Sequence, residues 1–223
     1  ELRSYQPIFR KFNSNWLQYL ETHPDWARFA GALKALVCAA DVLGSALPEG
    51  QQGNAWASAS LTKTVSADAM KAVVAERLGK KKPRPFQRRI AAAESRIVLV
   101  QAGCGSGKTA GAYMWAQRHA VGKKLFFCYP TTGTATEGFL GYVAQGPIEA
   151  QLIHSRADID LNVFYRSGDE EDHDDILRIE SLRTWDGAIT VCTADTVFSL
   201  VRNGRKGWYA SPALLSAAFV FDE

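Results

Sequence analysis

The middle of the chain reads Arg96-Ile97-Val98-Leu99-Val100-Gln101-Ala102-Gly103-Cys104-Gly105-Ser106-Gly107-Lys108-Thr109-Ala110-Gly111-Ala112. An apolar run, a glycine-rich turn and a helical pattern follow one another here. This is the order of a phosphate-binding loop, although Ala102 replaces the first glycine of the G-x-x-x-x-G-K-[ST] pattern. Backbone N–H groups of such a turn curl around an anion, and the following helix N-terminus adds further donors. The stretch therefore predicts a strand at Ile97–Gln101, a helix at 107–120 and a nucleoside triphosphate site between them.

Individual residues of this loop have predicted roles. Lys108 supplies a positive charge for the outer phosphates, and the hydroxyl of Thr109 is a ligand for Mg²⁺. The alternative is a glycine-rich turn with an unrelated lysine, which does not require a strand before it and a helix after it. The predicted nucleotide-binding residues of the loop are Ala102, Gly103, Cys104, Gly105, Ser106, Gly107, Lys108 and Thr109.

Composition restricts the class of protein. The chain has 223 residues and a formal net charge of +3, which is compatible with nucleic-acid binding without requiring it. Its cysteines, at 38, 104, 128 and 192, include no C-x-x-C pair, so we expect neither a disulfide framework nor a zinc site but a reducing, cytoplasmic location. No apolar run approaches the roughly 18 residues of a membrane span. The chain starts without Met and stops after an apolar run, so we expect a piece of a longer polypeptide.

Two segments concentrate charge. The acidic run at 169–175 is interpreted as a solvated loop. The basic run at 79–89 is either a solvated linker or a nucleic-acid contact, and the sequence leaves both interpretations open.

Residues 1–80 are predicted to form a small α-helical region. A long helix begins near Pro24 and carries apolar residues from Trp26 to Ala40 at three- and four-residue spacing. The segment 48–60 is interpreted as a linker, and Ser66 is expected to cap a helix that ends at Gly79. Asp41 is either a hydrogen-bonded boundary residue or a metal ligand.

Residues 81–223 alternate apolar strands with helices, which predicts an α/β fold with a parallel sheet covered on both faces. Further strands are expected at 124–130, 161–165, 188–192 and 217–221, and further helices at 135–145, 174–182 and 194–201. Functional residues of such folds follow the carboxyl ends of the strands. Thr131, Thr132 and Thr193 occupy such positions and are candidates for contacts with a nucleic-acid backbone.

Two more predicted site elements flank this region. Asp222 and Glu223 follow the last strand, where the first carboxylate would orient Mg²⁺ and the second would act as general base on water. Gln87, upstream of the loop, offers an amide that suits the edge of adenine, the alternative being a solvated linker residue.

Five motifs together resemble the first RecA-like domain of a superfamily-two DExD/H-box helicase over about residues 84–223. They are Phe86-Gln87, Ala102–Thr109, Tyr129-Pro130-Thr131-Thr132, Val191–Asp195 and Val220-Phe221-Asp222-Glu223. The resemblance implies ATP and Mg²⁺ as cofactors and hydrolysis that depends on Glu223, Asp222 and Lys108. It also implies a second RecA-like domain, missing from this chain, that closes the nucleotide cleft.

Several details resemble the CRISPR-associated helicase–nuclease of type I systems. They are Pro130–Glu137, Thr193–Phe198, Ser211–Ser216 and Ala40–Ser45, the last similar to the end of that family's histidine–aspartate nuclease domain. This resemblance implies a single-stranded DNA translocase recruited by an RNA-guided surveillance complex, and a nuclease metal site to which Asp41 contributes, with a second divalent transition metal as a further cofactor. The alternatives are an RNA helicase or other superfamily-two remodelling ATPase, and a nucleotide-binding module without catalysis.

Overall fold

The computed structural model of the chain describes residues 2–46, 53–144, 148–153, 184–202, 205–215 and 217–222. The strand expected at 161–165, the helix expected at 174–182, the acidic run and Glu223 lie outside these residues. The helices are α1 (Leu2–Thr22), α2 (Pro24–Ala46), α3 (Gly53–Thr62), α4 (Ala67–Leu78), α5 (Pro85–Ala91), α6 (Lys108–His119), α7 (Thr132–Tyr142), α8 (Ala194–Val201) and α9 (Arg205–Leu214). The strands are β1 (Lys124–Tyr129), β2 (Ala150–Ile153), β3 (Ile189–Thr193) and β4 (Ala217–Phe221).

The four described strands form one parallel sheet in the order β2-β3-β1-β4. β1 is central, and all six of its residues are buried. Its register pairs Cys128 with Cys192 on one side and with Phe221 on the other, so the carboxyl ends of β1, β3 and β4 lie at one edge of the sheet. The predicted α/β fold with a parallel sheet is confirmed.

Alternate side chains of β1 enter two separate cores, one on each face of the sheet. Leu125, Phe127 and Tyr129 pack with residues of α4, α6 and α7. Phe126 and Cys128 pack with residues of α2, α3 and α9. Because successive side chains of a strand point to opposite faces, helices cover both faces of the sheet, as predicted.

Helix α4 and the segment that precedes it pack directly against the sheet. The backbone N–H of Val65 donates to the carbonyl of Lys123 at 2.8 Å, just before β1. Met70 and Val73 of α4 are fully buried in the core that β1 shares with α6. Ser66 caps α4 by accepting from the N–H of Ala69, and Gly79 ends it, as predicted. The division of the chain at 80/81 stays a prediction.

The prediction of a strand at Ile97–Gln101 is wrong. Residues 98–103 have no regular secondary structure, and the side chains of Ile97 and Leu99 are 86% and 94% exposed. A strand exists only where a neighbour accepts and donates its backbone hydrogen bonds. Among the described strands, none pairs with this segment, and β4 pairs with β1 alone.

Two predictions for the N-terminal region are corrected. Most of the segment interpreted as a linker is helix α3, whose Ala57 is buried against the sheet. The apolar stripe of α2 is exposed, with Phe29 at 59% and Leu36 at 67%. The buried face of α2 instead consists of the small residues Ala35 and Ala39 together with Val42.

Helices α5 and α9 were not predicted, because α5 lies largely in the basic run, where charge dominates the pattern, and α9 contains Pro212. No described helix combines the length and the apolar character that a membrane crossing would need.

Candidate functional site

The glycine-rich turn occupies residues 102–107, and α6 begins at Lys108, as the motif predicts. Gly105 and Gly107 have φ values of +69° and +87°, a region that side-chain-bearing residues rarely adopt. The N–H of Ser106 donates to the carbonyl of Gly103 at 3.3 Å and so tightens the turn. The loop therefore has the backbone conformation for which its glycines are suited.

Lys108 lies over the turn that it follows. Its Nζ donates to the carbonyl oxygen of Ala102, the first residue of the motif, at 2.9 Å. This hydrogen bond joins the two ends of the loop. The buried Oγ of Ser106 has no hydrogen-bond partner within the described part of the chain. A charged donor and an unpaired buried hydroxyl at one turn fit an anionic ligand such as a phosphate chain.

Thr109 and Asp222 meet although they come from different ends of the domain. The Oγ1 of Thr109 donates to the Oδ2 of Asp222 at 2.5 Å. The N–H of Asp222 donates to the carbonyl of Cys128 at 2.9 Å, which prolongs the β1–β4 ladder beyond β4. The start of α6 and the end of β4 thus present two hard oxygen ligands side by side, as a Mg²⁺ site beside phosphates requires.

Gln87 is a buried residue of α5, with 4% of its surface exposed, so its interpretation as a solvated linker residue is wrong. Its Oε1 accepts from the N–H of Arg84 at 2.8 Å, and its Nε2 donates to the carbonyl of Gly107 at 2.9 Å. A Cβ at Gly107 would lie 2.6 Å from that Nε2. The structure thus connects Gln87 to the loop, and its contact with adenine stays a prediction.

Arg84 also contacts the loop, which sequence reasoning missed. Its Nη1 donates to the carbonyl of Ser106 at 2.6 Å and approaches that of Gly105 at 3.4 Å. The available signal is its position three residues before Gln87, about the length of one helical turn.

The three threonines predicted to contact nucleic acid lie at the same edge of the sheet. Thr131 and Thr132 follow β1, and Thr193 ends β3 in register with Tyr129. Thr131 caps α7, since its Oγ1 accepts from the N–H of Thr134 at 3.2 Å. The structure brings these residues together, and their contact with a nucleic-acid backbone stays a prediction.

Tyr129 is the last residue of β1. It lies between Thr193, which ends β3, and Asp222, which follows β4. Its ring packs against Gly138 of α7, and its buried hydroxyl has no hydrogen-bond partner among the described residues. Burial, and then the negative charge of Asp222, raise the pKa of this hydroxyl well above its usual range. Tyr129 therefore remains protonated at neutral pH.

Asp41 is exposed on α2. Within the described ranges, no three or more His, Cys, Asp or Glu side chains form a group that could hold a metal ion. The role of Asp41 as a nuclease metal ligand stays a prediction.

A parallel sheet with a phosphate-type loop, and with a threonine and an aspartate meeting at its carboxyl edge, defines an α/β protein of the RecA-like phosphate-loop class. A curated Myxococcus xanthus (strain DK1622) protein named CRISPR-associated nuclease/helicase Cas3 is 47% identical over 203 residues, which cover 88% of this chain and 27% of that protein. A protein of the same name from Methanocaldococcus jannaschii is 27% identical over 148 residues, which cover 63% of this chain and 20% of that protein.

The chain belongs with these CRISPR-associated Cas3 proteins and spans about a quarter of the length of the first. No protein-family model and no solved structure matches it.

Proposed function

We propose that the chain is the nucleotide-binding part of an ATP-driven single-stranded DNA translocase within a CRISPR interference helicase–nuclease. The observation that carries this proposal is the hydrogen bond between Thr109 and Asp222, because it joins the phosphate-type loop to the end of a parallel strand. The names of the relatives, which include nuclease and helicase, support it.

ATP and Mg²⁺ are the cofactors of this proposal. The N–H groups of the 103–107 turn and the ammonium of Lys108 would hold the phosphates, while Thr109 and Asp222 would hold Mg²⁺. Bound Mg²⁺ neutralises charge on the phosphate oxygens during hydrolysis. Glu223 is assigned the role of general base because it follows Asp222 directly, and Gln87 is assigned to the adenine edge.

Single-stranded DNA is the proposed substrate of the motor. Thr131, Thr132 and Thr193 lie at one edge of the sheet, where hydroxyl and backbone N–H groups could bind successive phosphates. The resemblance to the CRISPR-associated helicase–nuclease adds two proposed partners, an RNA-guided surveillance complex and a second RecA-like domain. It also adds a proposed cytoplasmic location.

The experiment is steady-state ATP hydrolysis by the full-length protein, with and without single-stranded DNA. Lys108→Ala is expected to abolish the DNA-stimulated rate, because it removes the charge that binds the outer phosphates. Lys123→Ala is the matched control, since Lys123 is exposed and its hydrogen bonds to Val65 and Ala120 use only its backbone. Undiminished turnover in Lys108→Ala would overturn the proposal.

The same assay separates the alternative functions. Stimulation by RNA but not by single-stranded DNA would identify an RNA helicase or a related remodelling ATPase. ATP binding without hydrolysis under any nucleic acid would identify a nucleotide-binding module without catalysis.

The proposed nuclease is tested separately by metal-dependent cleavage of single-stranded DNA. We expect Asp41→Ala to reduce cleavage. Asp25 is an exposed carboxylate at the start of the same helix, and Asp25→Ala should leave cleavage unchanged. Equal cleavage by both variants would make Asp41 a structural residue only.

A further inference from the structure

The carbonyl groups of the phosphate-type loop are held by side chains from outside the loop. The Nη1 of Arg84 donates to the carbonyl of Ser106 at 2.6 Å and lies 3.4 Å from that of Gly105. The Nε2 of Gln87 donates to the carbonyl of Gly107 at 2.9 Å. Three consecutive carbonyls, from 105 to 107, therefore face donors contributed by the N-terminal end of α5.

This arrangement bears directly on anion binding. A peptide unit carries its N–H and its C=O on opposite sides, so a turn whose N–H groups converge on an anion must direct its carbonyls away from it. A guanidinium group outside the turn favours this orientation, because its hydrogen bonds to carbonyls are charge-assisted. Without such a donor, a carbonyl could rotate inward and repel the phosphate oxygens.

Arg84 is itself fixed to the rest of the domain. Its backbone N–H donates to the Oε1 of Gln87 at 2.8 Å, so the two residues that hold the carbonyls are bonded to each other. Helix α5 packs closely on α6, where a Cβ at Gly111 would lie 2.8 Å from the Cδ1 of the buried Ile90. The guanidinium therefore extends from the start of a helix that packs directly on α6.

We propose that Arg84 is a positioning residue of the nucleotide site: it keeps the carbonyls of Gly105 and Ser106 turned outward and so preorganises the loop for a triphosphate. This inference rests on the proposed function, since it assumes that the loop binds phosphates. Arg84 need not touch the nucleotide, and its effect is independent of the base. The planar guanidinium of arginine fixes the directions of its N–H donors, whereas the ammonium of a lysine is a compact charge on a flexible stem.

The experiment compares Arg84→Ala, Arg84→Lys and Arg89→Ala in the full-length protein. Arg89 is exposed on the same helix, so its removal controls for the loss of one positive charge near the site. Affinity is measured by calorimetry for Mg²⁺-ATP and for inorganic tripolyphosphate, which lacks a base. Hydrogen exchange of the 102–109 backbone amides is measured without ligand and at saturating ligand.

Arg84→Ala is expected to weaken the binding of both ligands by a similar factor of about ten, a change of about 1.4 kcal/mol. It is also expected to speed exchange of the 102–109 amides, and ligand at saturation should remove most of that difference. Arg84→Lys should recover part of the affinity, and Arg89→Ala should change it by less than about twofold. If Arg84→Ala fails to fold, Arg84→Gln, which keeps an N–H donor but loses the charge, is compared with Arg89→Ala on the same terms.

Three results would overturn the inference while leaving the proposed function intact. Either Arg84→Ala binds both ligands as tightly as the unmodified protein while Lys108→Ala does not, or Arg84→Ala and Arg89→Ala weaken binding equally. A loss of ATP affinity without a loss of tripolyphosphate affinity would assign Arg84 to the base and would also overturn it. If Lys108→Ala binds tripolyphosphate normally, the proposed function itself fails.

Discussion

Thr109 and Asp222 are hydrogen-bonded at 2.5 Å although 113 residues separate them in the chain. Thr109 belongs to the first turn of α6, and Asp222 follows β4, the strand at one edge of the described sheet. Their meeting is the structural basis for the proposed Mg²⁺ site, because each would contribute an oxygen ligand at the same point beside the loop.

We expect Asp222→Asn to remove most of the effect of Mg²⁺ on nucleotide affinity. In the unmodified protein, Mg²⁺ should tighten ATP binding, and in the variant this gain should shrink by about tenfold, or about 1.4 kcal/mol. Titration calorimetry with and without EDTA measures both values. Asp195→Asn is the control, since Asp195 is exposed and pairs with Arg202. An unchanged Mg²⁺ effect in Asp222→Asn would exclude that carboxylate from the metal site.

The sequence predicts β1, β3 and β4 because apolar residues predominate in each of them. β1 is apolar after Lys124, and the predicted limits of all three strands lie within one or two residues of the observed ones. The sequence misses β2, which has only four residues, because its polar Gln151 interrupts the apolar run. β4 is an edge strand of the described sheet too, so composition and not position in the sheet decides which strand the sequence predicts.

The wrong prediction of a strand at Ile97–Gln101 has a different cause. Its β-branched, apolar residues have the composition of a strand, but the composition of a segment does not provide a partner for its backbone groups. The predicted turn and the helix that follows it are nevertheless observed, since glycine requirements and a helix start are local. The contacts of Arg84 and Gln87 with the loop carbonyls could not be predicted, because they depend on how α5 packs against α6.

Lys124 offers a test of how the N-terminal segments are attached to the sheet. It is 2% exposed, and its Nζ lies within hydrogen-bonding distance, 2.6–3.1 Å, of four carbonyl oxygens, those of Ser60, Lys63, Trp185 and Gly187. Burial lowers the pKa of Lys124 to about 8, so the ammonium form still prevails at neutral pH.

We expect Lys124→Met to lower the free energy of unfolding by about 3 kcal/mol, because it leaves buried carbonyls without a donor. Urea denaturation followed by circular dichroism measures the change. Lys123→Met, at the exposed neighbouring position, should change it by no more than about 0.5 kcal/mol. Equal stabilities of the two variants would show that the four carbonyls find other donors.

A second polar cluster predicts how stability depends on pH. The Nζ of Lys63 lies 2.8 Å from carboxylate oxygens of both Asp186 and Glu149, and Ser60 donates to Asp186 at 3.0 Å. The hydrogen bond from Lys63 lowers the pKa of Asp186 below its usual 3.8. A carboxyl whose pKa is lower in the folded protein stabilises it fully above the unfolded pKa, and loses this effect as the pH falls through the folded value.

Asp186→Asn should therefore lower the melting temperature at about pH 7, and the difference from the unmodified protein should shrink as the pH is lowered to about 2.5. Asp25→Asn, which removes a highly exposed carboxylate paired with Arg28, should show little difference at either pH. A difference for Asp186→Asn that is independent of pH would contradict the assigned role of the ionised carboxylate.

Two glycines of α7 provide a matched pair for testing the close packing beside the site. A Cβ at Gly138 would overlap the ring and hydroxyl of Tyr129, whereas a Cβ at Gly141 would meet no atom within 4 Å. Gly138→Ala should therefore destabilise the protein by about 1–3 kcal/mol through overpacking. Gly141→Ala should stabilise it by about 0.5–1 kcal/mol, because alanine favours the helix. Urea denaturation of both variants measures these opposite changes.

The contrast depends on Tyr129 filling the space at Gly138, so Tyr129→Phe combined with Gly138→Ala should recover part of the loss by removing the overlapping hydroxyl. If both glycine variants gain stability equally, the ring of Tyr129 does not pack against Gly138 in solution.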